Sequence, residues 1–320
     1  MTAEPRKPKI TVVGSFAVGM TIRSPTLPIF GQTLLGSDFD MGPGGKGSNQ
    51  SVAAARLGAD AALVAYVGSD ALATIAHDLY RAEGVNRAHV QSLPDRATGV
   101  GFIILNTEGN NFIILDMGAN DAMDAAAVDA AHDRIAVSDV VMTVLEIPDA
   151  AALRALELGR AAGARTILNP APARMLPPEM FSFVDILTPN ESELRVLLGL
   201  PADDPSSSRD LAMALRARGV GTVIVTLGGR GALILSDTLD LEVPALKVNV
   251  VDTTGAGDAF NAGLAVALAE GRSLAEAVRF AIAAGATACT RLGVVPSLGR
   301  RAEVEALEAT MKTDLEGQRA

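Results

Sequence analysis

Aromatic residues make up only 3% of the 320-residue chain and tryptophan is absent, although 49% of it is hydrophobic. The core must therefore be built mainly from Ala, Val, Leu and Ile, side chains that suit helices packed on a parallel sheet. Cys289 is the sole cysteine, which excludes an intrachain disulfide and a multi-cysteine zinc site and fits a reducing compartment. Positive charge is also short. With 27 Lys and Arg against 37 Asp and Glu the net charge is −10, which argues against nucleic acid or an anionic membrane surface as the main partner. A small anion stays open, because a local site can oppose the global charge. The longest apolar stretch, near Ala262 to Ala269, falls well short of the ~20 residues that span a bilayer. Polar Met1 to Lys9 leads into an apolar run too short for a signal-peptide core. These absences lead us to expect a soluble, cytoplasmic protein. No linker, repeat or low-complexity tract divides residues 1–320, which are expected to form one domain.

Apolar runs and turn residues define the order of elements. Lys9 to Gly14 reads as a buried strand ending in a turn, and Thr21 to Pro43 as exposed β structure. Next come a helix at Ser48 to Leu57, a strand at Ala61 to Val67 and a helix at Ala71 to Glu83. Thr98 to Asn106 and Asn111 to Met117 form a hairpin around Thr107-Glu108-Gly109-Asn110. Alternation resumes with strand Val140 to Leu145, helix Ala150 to Ala162, strands Arg165 to Asn169 and Val184 to Thr188, and helix Glu191 to Leu198. Helix Ser208 to Arg218, strands Thr222 to Leu227 and Ala232 to Ser236, extended structure to Val250, and helices near Ala256 to Ala269 and Leu274 to Thr290 complete the reading. The pattern predicts an α/β fold with a parallel sheet and a small β lid from about residues 17–43 and 97–117.

Three stretches carry chemistry. In Asp252-Thr253-Thr254-Gly255-Ala256-Gly257-Asp258 the small residues open a long helix, whose free N–H groups and dipole suit an anion such as a phosphate in transfer. Gly255 and Gly257 let the backbone approach closely, and Asp258 in the first turn can take a proton from an attacking hydroxyl. The bland alternative is that Thr253 or Thr254 caps the helix and Asp258 only favours its dipole. The second stretch, Gly42-Pro43-Gly44-Gly45-Lys46-Gly47-Ser48-Asn49-Gln50, satisfies a dinucleotide glycine pattern, but a polar, broken segment precedes it instead of a buried strand. Gly47 follows Lys46 where a phosphate loop needs Ser or Thr. What remains is Lys46 and Asn49 on a flexible backbone, suited to a polyol, or a plain glycine turn. In the third, Thr188-Pro189-Asn190-Glu191-Ser192-Glu193, Asn190 and Glu193 form a capping box or, through water, hold magnesium on a nucleotide. His77, His89 and His132 have no paired spacing and read as surface or packing residues in helix or loop.

In order and spacing these stretches resemble the ribokinase (PfkB) family of carbohydrate kinases over nearly the whole chain. Gly14-Ser15, Asn169-Pro170-Ala171-Pro172-Ala173-Arg174 and Thr226-Leu227-Gly228-Gly229-Arg230-Gly231 join them in carrying the likeness. The resemblance implies a Rossmann-type α/β/α sandwich, a lid that often makes a homodimer contact, and ATP-dependent phosphorylation of a hydroxymethyl group on a small sugar or sugar-like molecule. Asp258 matches the family base, and Gly255, Ala256 and Gly257 its anion hole. Asn190, Thr226, Gly228, Gly229, Gly231, Gly257 and Ile282 match ATP-binding positions, and Glu193 a magnesium position acting through water. Gly45, Lys46, Gly47, Asn49 and Glu146 match sugar-binding positions. Asp252 and Ser297, with the carbonyls of Thr254, Ala288, Arg291 and Gly293, match a potassium site. One departure concerns the substrate: Ala17 and Gly19 stand where the family carries an Asn and an Asp that grip sugar hydroxyls. Their loss points away from ribose and leaves room at Gly19, while Lys46, Asn49 and Glu146 keep the expectation of a polyhydroxylated ligand. The competing readings are a nucleoside kinase of the same family, a non-catalytic sugar or nucleotide sensor on this fold, and an NAD-linked dehydrogenase, which needs a buried strand ahead of Gly42.

Overall fold

The computed structural model describes residues 6–108 and 110–317, so Met1 to Pro5, Gly109 of the expected hairpin turn and Gln318 to Ala320 lie outside the described residues. In chain order the first elements are β1 (Lys9–Val13), β2 (Ala17–Ser24), β3 (Ser37–Gly44), α1 (Lys46–Arg56), β4 (Asp60–Gly68), α2 (Ala71–Glu83), β5 (Asn86–Leu93), β6 (Gly99–Asn106) and β7 (Asn111–Asp116). Then follow α3 (Ala125–Asp129), α4 (His132–Ile135), β8 (Val140–Val144), α5 (Asp149–Ala161), β9 (Arg165–Asn169), β10 (Ile186–Leu187), α6 (Glu191–Leu197) and α7 (Ser208–Arg216). The last are β11 (Thr222–Thr226), β12 (Ala232–Leu235), β13 (Asp240–Val243), α8 (Ala256–Ala269), α9 (Leu274–Ala288), α10 (Val294–Ser297) and α11 (Arg301–Gly317).

Side-chain alternation along the strands builds two cores, one on each face of the main sheet. Ile10, Val12, Leu63, Met142, Ile167 and Ile224 face α1, α2, α8 and α9. Val13, Val64, Val141, Leu168, Val223 and Val225 face α3 to α7. Strands buried on both sides are what the apolar runs predict, and the result is an α/β/α sandwich. The main sheet runs β13-β12-β11-β10-β9-β8-β1-β4-β5, parallel from β11 to β5, with β12 and β13 antiparallel at one edge. From β1 the chain builds outward through β4 and β5, then returns to the other side of β1 and builds away from it through β8 and β9. The order therefore reverses between β1 and β8, and crevices at the carboxyl ends of such strands are where ligands settle.

A separate four-stranded sheet, β3-β2-β6-β7, forms the expected lid. The strand ahead of Gly42 is β3, and its first five residues are exposed, which removes the support for a dinucleotide fingerprint there. Some elements differ from the sequence reading. The strand expected over Val184 to Thr188 is reduced to two paired residues, and His89 lies in β5, a strand absent from that reading. Among the described residues no helix is long and apolar enough to cross a membrane.

Candidate active site

Each glycine-rich stretch enters the site because local geometry demands it. Gly47 packs so tightly under the turn after β1 that a Cβ there would lie 2.5 Å from the Ser15 nitrogen and 2.7 Å from the Gly14 Cα. That approach seats the first turn of α1 over the switch point. Glu146, just after β8, locks the arrangement: its Oε2 accepts the Lys46 amide at 2.7 Å and the Ser15 hydroxyl. At α8, Gly255 takes the N-cap position with φ of 82°, a conformation that costs a residue with a side chain. Among the described residues no side chain caps this helix, so neither Thr253 nor Thr254 plays that part. Among the described residues nothing accepts from the amides of Gly257 or Asp258, which leaves the positive end of α8 open.

Asp258 is 6% exposed and still lines a cavity of about 310 Å³, together with Lys46, Asn169, Asn190, Glu193 and Gly255. Its Oδ2 accepts from Asn49 Nδ2 at 2.8 Å and its Oδ1 from Gln50 Nε2 at 3.1 Å. Burial pushes the carboxyl up to about 6, against the pull of Lys46 and the two amides, while Glu146 pushes the same way as burial. Lys46 forms no ion pair among the described residues. Burial alone would lower its pKa, but the carboxylates of Asp258, Glu146 and Glu193 outweigh that and hold it above the ordinary lysine value. A half-buried cation with no ion-pair partner among the described residues is suited to an anion that arrives.

A second cavity, of about 340 Å³, adjoins the first, and both are lined by Asn190, Thr226, Thr253 and Gly257. Asn190, Thr226, Gly228, Gly229, Gly231, Gly257 and Ile282, read from the sequence as ATP-binding, all line it. Leu246, Val248, Val250, Phe260 and Ala286 give it the apolar wall that a flat heterocycle needs, and the sequence reading gave none of them a role at the site. The third stretch resolves as a full capping box: Asn190 accepts from the Glu193 amide at 2.8 Å, and Glu193 Oε2 accepts from the Asn190 amide at 2.9 Å. Burial raises the Glu193 pKa, the Asn190 amide and Lys46 oppose it, and Asp258 adds to it.

Behind α8, Asp252 Oδ1 accepts from the Thr254 amide and hydroxyl, and its Oδ2 from the Gly293 amide at 3.0 Å. Burial works to raise this carboxyl, but the Thr254 and Gly293 hydrogen bonds win and hold it below the ordinary aspartate value. Ser297 is buried with its hydroxyl on the Val294 carbonyl, Ala288 ends α9, and the Arg291 guanidinium pairs with Glu303. The segments carrying the six expected potassium positions thus meet behind the N-terminus of α8, where a Cβ on Gly255 would stand 2.8 Å from Val294 Cγ1. Other expected positions lie off the cavity. Gly19, Gly45, Gly47, Asn49 and Glu146 do not line it, although Asn49 reaches Asp258 and the others shape or adjoin the α1 turn and the lid. Gly19 pairs with Gly42 on one side and Gly101 on the other, so a strip without side chains crosses three lid strands. Four polar residues that sequence reasoning left without a role, Gln50, Asn169, Thr188 and Asn261, are buried beside Asp258. Their signal was a polar residue where an apolar strand ends, or one turn into an apolar helix. A larger hollow of about 900 Å³, lined by Val140, Arg165, Thr222 and Arg272, lies at the opposite ends of the strands and shares no residue with the site.

Comparison with known proteins supplies the family. Residues 7–299 match the model of the pfkB family carbohydrate kinases. The chain is 36% identical to a ribokinase of Haemophilus influenzae over 294 residues, 92% of this chain and 96% of that one. It is also 36% identical to a deoxyribokinase of Salmonella typhi over 252 residues, 78% of this chain and 82% of the other. The solved structure of Arabidopsis thaliana ribokinase complexed with ribose and ATP superposes with a TM-score of 0.88 at 31% identity, over 95% of this chain and 99% of that one.

Proposed function

The chain belongs to the pfkB family of carbohydrate kinases and is an ATP-dependent kinase of a sugar hydroxyl, and from that premise we propose that Asp258 is its general base and that the two adjoining cavities hold ATP and the acceptor. The observation that carries this reading is the meeting, where those cavities join, of a buried carboxylate with a Lys46 side chain and helix amides that have no partner among the described residues. The acceptor's hydroxymethyl group gives its proton to Asp258 as its oxygen attacks the terminal phosphorus. The new O–P bond forms, the bond to ADP breaks, and the proton leaves with the carboxyl. Lys46 and the first amides of α8 steady the charge on the phosphoryl oxygens.

Magnesium fits at Glu193, whose Oε1 has no partner among the described residues and can take a metal-bound water; bound there with the nucleotide, it would neutralise phosphate charge. Potassium fits the oxygen-rich set around Asp252 and Ser297, with the Thr254, Ala288, Arg291 and Gly293 carbonyls. The acceptor we favour is a small polyhydroxylated molecule other than ribose. The missing polar side chains at Ala17 and Gly19, and the bare strip from Gly101 through Gly19 to Gly42, support this preference. A protein named deoxyribokinase among its relatives is in keeping with it. We read the whole chain as one kinase domain of the cytoplasm carrying its own lid, and the lid as the contact of a homodimer.

ATP consumption across pentoses, deoxypentoses, hexoses, tetritols and nucleosides, with and without potassium, tests the proposal. Asp258→Asn should lose roughly 10²–10⁴-fold in turnover on the best acceptor, with ATP affinity little changed. Unchanged turnover in that variant would remove Asp258 from the mechanism, and ribose turned over as well as any other acceptor would end the substrate preference.

A further inference from the structure

We propose that Gln50 is a positioning residue for the base, the first link of a closed chain of buried side chains that returns to the backbone of α8 next to Asp258. The inference rests on the reading of Asp258 as the base. From Asp258 Oδ1 the chain passes to Gln50 Nε2 at 3.1 Å, and the same Nε2 donates to Asn169 Oδ1 at 3.0 Å. Asn169 Nδ2 donates to the Thr188 carbonyl at 3.3 Å, the Thr188 hydroxyl to Asn261 Oδ1 at 2.6 Å, and Asn261 Nδ2 to the Gly257 carbonyl at 2.8 Å. The members come from α1, the ends of β9 and β10, and α8, and none is more than 7% exposed.

The direction of the chain is its physical content. Backbone carbonyls at Thr188 and Gly257 only accept, so each amide is forced to present its nitrogen in one sense. Both Gln50 hydrogens are thereby assigned, one to Asn169 and one to Asp258. Asn49 brings a second donor to the other carboxylate oxygen at 2.8 Å. Protonation of Asp258 would turn both of these N–H bonds from charge-assisted to ordinary ones, so the network favours the ionised base over the neutral acid. Each carboxylate oxygen keeps lone-pair capacity for a substrate hydroxyl. The charged groups facing Asp258 are Lys46 on α1, Glu146 after β8 and Glu193 on α6. They act through space and leave the plane of the carboxylate unfixed; the amides of Gln50 and Asn49 fix it.

The test combines kinetics and a titration that needs no substrate. Gln50→Met keeps the volume and removes the donor, and Gln50→Glu is nearly isosteric but places a second acid against Asp258. In ligand-free protein carrying ¹³C-labelled aspartate, with the resonance assigned by its loss in Asp258→Asn, the Asp258 titration should move up by about one pH unit in Gln50→Met. In Gln50→Glu it should move further. With ATP and D-ribose or 2-deoxy-D-ribose as probes, Gln50→Met should lose roughly 10- to 100-fold in kcat at pH 8, and the KM for ATP should hold, because Gln50 does not line the nucleotide cavity. An unmoved titration in both variants would overturn the proposal, even if neither sugar is turned over. Asp258→Asn retaining full turnover would instead overturn the reading of the base.

Discussion

As the proposed base, Asp258 answers two opposed demands at one carboxylate. A base must be ionised at working pH, yet it must sit in a dry place where its charge is unwelcome. Here burial carries the pKa to about 6, and Lys46, Asn49 and Gln50 keep it from going higher. The proposed base acts when deprotonated, so kcat/KM should fall as pH drops through about 6, a limb that Asp258→Asn must lack. The same shift has a sign for stability. The unfolded chain releases this proton near the ordinary aspartate value and the folded one later, so Asp258 makes folding less favourable as pH rises from ~4 to ~6, by ~3 kcal/mol in all. Denaturant melts of wild type and Asp258→Asn should therefore diverge in the variant's favour across that interval and run parallel above it. A constant difference from pH 4 to 8 would mean that the carboxyl is not desolvated in the folded protein.

Helix starts place the chemistry at the next scale up, and two of them make separate predictions. Alanine at Gly47 would push the first turn of α1 off backbone atoms of Gly14 and Ser15, which cannot rotate aside as a side chain can. Gly47→Ala should cost ~1–3 kcal/mol in urea unfolding and reduce turnover with it, because Lys46, Asn49 and Gln50 ride on that turn. Asp70 caps α2 through the Ala73 amide and also accepts the amide and hydroxyl of Thr98, one residue before β6 of the lid. Burial works to raise its pKa, but these hydrogen bonds win and hold it below the ordinary value. Asp70→Ala should lose ~1–2 kcal/mol, present above the ordinary aspartate pKa and fading as pH falls below it; a loss that stays constant into acid would contradict the ionised cap. Elements of this kind were legible in sequence where local signals are strong, as in α2, read at its observed bounds. The reading missed β5, an edge strand whose polar residues break up any apolar run, and α11, whose apolar positions Val304 and Met311 are sparse. The glycine-rich stretches could be seen because each is contiguous. The ring through Gln50, Asn169, Thr188 and Asn261 could not, since only the fold brings residues 211 positions apart into one hydrogen-bonded circuit.

At the scale of the whole molecule the exposed apolar surface gathers on the lid. Registers place Met41, Met20, Phe102 and Ile114 in one row across all four strands, with Ile22, Ile104 and Phe112 on the same face. Every residue of β7 is exposed, and Ile114 is 70% exposed. A two-edged sheet with an uncovered apolar face invites association, and the same face on a second copy is the complement that twofold symmetry supplies. If two lids clasp in this way, sedimentation equilibrium should report a dimer of a 32.9 kDa chain, and Phe102→Glu with Ile114→Glu should shift it to monomer by burying charge in the contact. The lid grows from Ala17, four residues past β1, and from Gly99, one residue past the Thr98 that Asp70 holds, so loosening it should reach the acceptor side first. The monomeric variant is therefore expected to raise the KM for the sugar more than the KM for ATP. A wild-type chain that sediments as a monomer at micromolar concentration would show that this face serves some other purpose.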